Sequence, residues 1–160
     1  REHNIPYLGL CLGMHIASIE FARNVLKLEG VNSQEFDKNA KHPVIHILEE
    51  QKNLTKKGGT MRLGAYPCKV EAATKLHAAY KTDEISERHR HRYEFNNQYK
   101  KAFQSAGVMF SGVSPDESLV EVIELPDHKW FLACQFHPEF KSRPAKSHPL
   151  FREFIRASLD

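Results

Sequence analysis

Pro6-Tyr7-Leu8-Gly9-Leu10-Cys11-Leu12-Gly13-Met14 is the stretch on which the fold turns. From Pro6 to Cys11 the run is short and apolar, which suits a strand covered on both faces. From Met14 to Leu28 the rhythm changes: Ala17, Phe21, Val25 and Leu28 recur at helical spacing, and Gly30 offers a stop. A strand that passes into a helix through Gly9-Leu10-Cys11-Leu12-Gly13 is a nucleophile elbow with cysteine in the reactive position. The turn is crowded, so the flanking glycines keep side chains out of the substrate's way. Unpaired N–H groups and the dipole at the helix start favour a thiolate and a developing oxyanion, with the Leu12 N–H as the natural donor. The plain alternative is that Cys11 is a small apolar residue closing a strand.

Outward from the elbow, strands are expected at 44–48, 64–70, 108–113, 119–125 and 130–136, and helices at 73–80, 97–106 and 149–159. Residues 32–43 read as a loop and 52–59 as a charged connection. The segment 83–97, with Arg88-His89-Arg90-His91-Arg92 at its centre, is too charged for a core role. The stripe Leu150, Phe151, Phe154, Ile155 and Leu159 belongs to the core. Strands and helices intermix, which predicts an α/β domain of three layers with a mainly parallel sheet. A chain of 160 residues fits one domain. Arg1-Glu2-His3-Asn4 leads at once into an apolar strand and reads as the tail of a helix–strand connection, so residues 1–160 are expected to be a partial domain, truncated at the amino terminus.

A formal charge of +3 demands neither nucleic acid nor an anionic membrane as partner. No apolar run is long enough to span a bilayer, and the first residues lack signal-peptide character. Three cysteines, an odd number without metal-like pairing, point to a reducing compartment, the cytoplasm. Ten histidines invite a metal site built from His89 and His91 with Cys68 or Cys134, but no CxxC or HExxH spacing supports one. Cys134, beside Phe131 and Phe136, reads as core, and Cys68 is left unassigned.

The second chemical signal is His137-Pro138-Glu139 at the end of the 130–136 strand. A thiol nucleophile needs an imidazole to take its proton, and the imidazole needs a carboxylate to fix its tautomer. Two positions apart on extended backbone, His137 and Glu139 would face the same side.

Gly9-Leu10-Cys11-Leu12-Gly13-Met14 together with His137-Pro138-Glu139 resembles the class I, or triad, glutamine amidotransferases. Three further stretches narrow the resemblance to the CTP synthase family. They are Gly58-Gly59-Thr60-Met61-Arg62-Leu63-Gly64, Glu87-Arg88-His89-Arg90-His91-Arg92-Tyr93-Glu94, and His137-Pro138-Glu139-Phe140-Lys141-Ser142-Arg143-Pro144. The similarity runs from about Ile5 to the end. It implies a flavodoxin-like glutaminase fold with catalytic Cys11, His137 and Glu139. It also implies a glutamine pocket lined by Leu12, Gly13, Met14 and His15, with Glu35 and Arg92 holding the substrate's amino and carboxylate ends. His15 stands where the family usually has glutamine. The resemblance further implies an amino-terminal synthetase domain that uses ATP and Mg²⁺ to aminate UTP. Residues 58–70 would be a lid responding to the activator GTP, and the full-length enzyme a homotetramer. No cofactor is implied for this part of the chain. Two competing expectations are another triad amidotransferase, such as one serving GMP synthesis, and a catalytically silent module sensing glutamine or nucleotide.

Overall fold

The computed structural model describes residues 1–47 and 61–159. In chain order the elements are β1 (Tyr7–Leu10), α1 (Leu12–Asn24), β2 (Val31–Ser33), β3 (His42–Ile47), β4 (Arg62–Val70), α2 (Lys75–Tyr80) and β5 (Glu84–His91). They continue with β6 (Tyr93–Phe95), α3 (Lys100–Ser105), β7 (Met109–Val113), β8 (Val120–Glu124), β9 (Phe131–Cys134) and α4 (Pro149–Leu159). The expected charged connection at 52–59, Leu48 of the expected 44–48 strand and the first part of the expected lid lie outside the described residues. The rest of that lid, Arg62–Val70, is strand β4.

Six strands form one sheet in the order β1-β9-β8-β7-β4-β5, and β2-β3-β6 form a second, smaller one. The α/β class holds, but the sheet is mixed rather than mainly parallel. In the larger sheet β1–β9 is the parallel pair, and the other four pairings are antiparallel. Connection length is the reason. The strands β7, β8 and β9 follow one another through the short links 114–119 and 125–130, whereas a parallel return needs a crossover of about a dozen residues or more.

Alternation along β9, and along β8 across an irregularity in its register, makes the three layers. Val120, Ile123, Phe131 and Ala133 face one core with Met14, Ala17, Phe21 and Ala22 of α1 and Phe103 of α3. Val122, Leu132 and Cys134 face the other, with Trp130, Cys68, Leu76 and Ala79 of α2 and Leu150 of α4. Each large apolar side chain so buried contributes about 1.5–3 kcal/mol. Among the described residues β1 pairs only with β9, so Tyr7, Leu8 and Leu10 are half-buried rather than covered on both sides.

Four further expectations are corrected. α1 stops at Asn24, before Leu28, because the chain turns through the left-handed region at Lys27 (φ 56°), yet Val25 and Leu28 still pack on the first core. The segment 97–106 begins as a 3₁₀ turn, Asn97–Tyr99, before α3. The α4 stripe is only partly core: Leu150 is buried, but Ile155 and Leu159 are 55% and 83% exposed, because α4 packs along one edge against α2.

The largest correction concerns 83–97. Its centre is strand β5, with Ile85, Glu87, His89 and His91 inside and Glu84, Ser86, Arg88 and Arg90 outside. The buried polar groups are tolerated because they are paired. Arg62 of β4 reaches Glu94 (3.2 Å) and Glu121 (2.7 Å), and His89 Nδ1 meets His91 Nε2 at 2.8 Å. Glu87 accepts from Tyr80 (3.0 Å), His148 (3.1 Å) and Lys141 (3.3 Å).

Candidate active site

At the elbow Cys11 has φ 48° and ψ −101°, a conformation that costs a residue with a side chain on the order of 1–3 kcal/mol. The surrounding bonds impose it. Cys11 N–H donates to Cys134 O (2.7 Å), and Met14 N–H closes the first helical turn on Cys11 O (3.0 Å). Gly9 is required by close approach. A Cβ there would lie 2.9 Å from the Gly13 backbone and from the Tyr7 ring, whose hydroxyl donates to Gly13 O at 2.8 Å.

Because β1 and β9 run parallel with Leu10 opposite Cys134, both strands leave the sheet at the same end. Cys11 on one and Gln135-Phe136-His137 on the other therefore emerge together, outside the carboxyl ends of parallel strands where α/β folds bind ligands. His137 Nδ1–H donates to Glu139 Oε1 at 2.7 Å. The pair is not joined by extended backbone, as the sequence suggested. Pro138 opens a 3₁₀ turn, Pro138–Phe140, that folds Glu139 back onto the imidazole. His137 N–H is tied to Arg88 O (2.8 Å), and its ring stacks on Phe140 with centroids 5.0 Å apart. With Nδ1 protonated, Nε2 carries the lone pair, and that atom is buried without a partner among the described residues. The thiol's own neighbour is Gln135, whose Nε2–H₂ lies 3.7 Å from the sulfur.

Burial pushes the Cys11 thiol above its ordinary range. The Leu12 N–H and the Gln135 amide pull it down, whereas Glu35 and Glu139 push it further up. Desolvation thus outweighs the pull of the helix start on the thiol. Removing a thiol proton calls for a base, and His137 emerges at the same end of the sheet with its Nε2 unpartnered among the described residues.

Beside the sulfur is a cavity of about 200 Å³, lined by Cys11, Leu12, His15, Glu35 and Arg92 with Met61, Arg90, His91 and Tyr93. Glu35 and Arg92 bring opposite charges to it, and neither side chain has a partner among the described residues. Two expected pocket residues bring no side chain to this cavity. Met14 is fully buried in the first core, and Gly13 sits under the Tyr7 hydroxyl. Helical spacing is the reason: residues 12 and 15 share a face that residue 14 does not. Gln135, Met61, His91 and Tyr93 were missed. Only Gln135 carried a signal, a polar residue interrupting the apolar run 130–136 next to His137.

His89 and His91, the candidate zinc ligands, are hydrogen-bonded to each other. Among the described residues no group of three or more His, Cys, Asp or Glu is placed to hold a metal ion. Nor is any helix among them long and apolar enough to cross a membrane.

A sequence profile described as glutamine amidotransferase class-I matches residues 1–157. Among curated proteins, "CTP synthase" of Aquifex aeolicus and of Caldanaerobacter subterraneus are each 63% identical over the whole of this chain. The chain covers 30% of the length of each. Among solved structures, the glutaminase domain of Trypanosoma brucei CTPS with bound acivicin superposes with a TM-score of 0.93 at 41% identity. That match covers 99% of this chain and 62% of the other.

Proposed function

The chain belongs to the class I glutamine amidotransferases, and from that premise we propose that it releases ammonia from glutamine through a thioester on Cys11. Cys11 Sγ attacks the side-chain amide carbon while His137 Nε2 takes the thiol proton. The oxyanion that forms faces the Leu12 N–H. The C–N bond then breaks, and His137 returns its proton to the departing ammonia. Water, deprotonated by the same nitrogen, attacks the thioester carbon. The C–S bond breaks, glutamate leaves, and the sulfur regains a proton. Glu139 holds the imidazole in the tautomer that makes this possible. Arg92 pairs with the substrate's α-carboxylate and Glu35 with its α-ammonium, a charge match of the kind bidentate guanidinium contacts favour. Gly13 and Met14 contribute through the backbone of the first helical turn. The observation that carries this reading is the convergence, at one sheet end, of a strained cysteine elbow and a histidine whose tautomer is set at 2.7 Å by a carboxylate.

The likeness to CTP synthases supports a wider role. On this reading residues 1–160 are the carboxy-terminal, partial glutamine amidotransferase domain of a CTP synthase. Its ammonia serves a synthetase domain of the same protein, which aminates UTP. ATP and Mg²⁺ belong to that domain, GTP acts as activator, the enzyme is a homotetramer, and three unpaired cysteines suit the cytoplasm. The test is Cys11→Ala in the full-length protein. Glutamine-dependent CTP formation should vanish while synthesis from free ammonia persists. Equal loss with both nitrogen sources would make Cys11 a structural residue.

A further inference from the structure

Gln135 is fully buried at the end of β9, its backbone fixed by an N–H···O bond to Glu121 (2.8 Å). Its side-chain amide has two chemically opposite ends. One, Nε2–H₂, faces the Cys11 sulfur at 3.7 Å, and the other, Oε1, faces His15 Nε2 at 2.9 Å. In this orientation Oε1 accepts, and His15 donates from Nε2. Turned over, the amide would set a carbonyl oxygen against the sulfur and give an N–H to His15 Nε2, which would then need its proton on Nδ1. We propose that Gln135 is a further catalytic residue, a hydrogen-bond donor to the Cys11 sulfur as it becomes a thiolate. We propose with it that His15 is the positioning residue that fixes which end of that amide the sulfur meets.

The geometry gives the nucleophile two N–H neighbours on rigid elements, the Leu12 backbone at the start of α1 and Gln135 beyond β9. Donors aimed at a thiolate favour the charged form and so oppose the desolvation of the site. Glu35 and Glu139 act on the sulfur in the opposite sense, and His91 of β5 faces His15. Burial holds His15 below its ordinary range, so it stays neutral and keeps a single donor position at neutral pH. The departure from glutamine at position 15 thereby acquires a meaning: either side chain can present an N–H to Gln135 Oε1.

The inference rests on Cys11 being the nucleophile but not on glutamine being the substrate, and the test separates the two. Cys11 in the full-length protein is alkylated with iodoacetamide across a pH series, without glutamine, and modification is read by peptide mapping. Gln135→Leu should raise the pH of half-maximal reactivity by about one unit, since one charge-assisted donor is lost. His15→Leu should raise it by less, and His15→Gln should leave it unchanged. An unaltered profile in a folded Gln135→Leu protein would overturn the role of Gln135. Should that variant not fold, the two His15 variants decide, and equal profiles in them would overturn the orienting role. Glutamate release measured on the same samples reports separately on the proposed reaction.

Discussion

At Arg92 and Glu35 two charges of opposite sign line one cavity, which is the requirement for seizing the backbone end of an amino acid. Arg92→Ala should lower kcat/KM for glutamine by about 1.5–3 kcal/mol, the worth of a hydrogen bond to a charged group. Ammonia-driven turnover in the full-length protein should hardly change. Steady-state kinetics with both nitrogen sources checks this, and an unchanged kcat/KM for glutamine removes Arg92 from the site. Gly9 supports the site sterically. A methyl group at Gly9 would lie 2.9 Å from the Gly13 backbone, and backbone cannot swing aside as a flexible side chain can. Gly9→Ala should therefore cost about 1–3 kcal/mol, read from the urea midpoint.

Strand β5 states the same logic at the scale of an element. Its inward carboxylate, Glu87, accepts from Tyr80, His148 and Lys141 and so ties α2 and the segment after His137 to the sheet. Glu87→Ala should destabilise by about 2 kcal/mol, because the buried His148 and the half-buried Tyr80 lose their acceptor at once. Glu84→Ala, on the outward face of the same strand, should stay within about 0.5 kcal/mol. Paired urea titrations measure both, and comparable losses would refute the inside–outside assignment. This strand also marks the limit of sequence reading. The elbow at Cys11 and the His137–Glu139 pair were legible because each is a local pattern with its own chemistry. β5 was not, because the usual signal is apolar alternation, and here the alternation is between arginines and buried imidazoles or carboxylates. Their acceptability depends on Arg62 and Glu121, which lie far off in sequence. The antiparallel sheet escaped for a related reason: pairing direction follows from which strands become neighbours, not from any one strand's residues. The Met14 side chain lies in the core because a helix divides between two faces the stretch that a resemblance assigns whole.

Across the whole molecule, Arg62, Glu94, Glu121, His89 and His91 join strands of both sheets in one buried ionisable network. Burial pushes Glu94 up to about 8 and raises Glu121, with Arg62 opposing. Burial and then Arg62 hold His89 down at about 2 and His91 at about 3. A raised carboxyl contributes stability that is present below its unfolded value and lost as pH climbs through its folded one. A depressed histidine contributes stability that is present above its unfolded value of 6.5 and lost as pH falls. The melting temperature should therefore peak near pH 6.5, decline toward pH 8 through the carboxyls, and decline toward pH 4 through the histidines. Glu94→Gln should flatten the alkaline limb, and a melting temperature still rising from pH 6.5 to 8 would contradict the assignment. A last consequence comes from the pairing of β1 with β9, which brings together groups 124 positions apart. A ribosome making this chain finishes the nucleophile long before its base, and such distant pairing is slow to close. Until β9 docks, Cys11 is an ordinary thiol on an unfinished sheet. In refolding from urea, helical ellipticity should accordingly return first and glutamate release last, the catalyst being assembled only when the two ends of the chain have met.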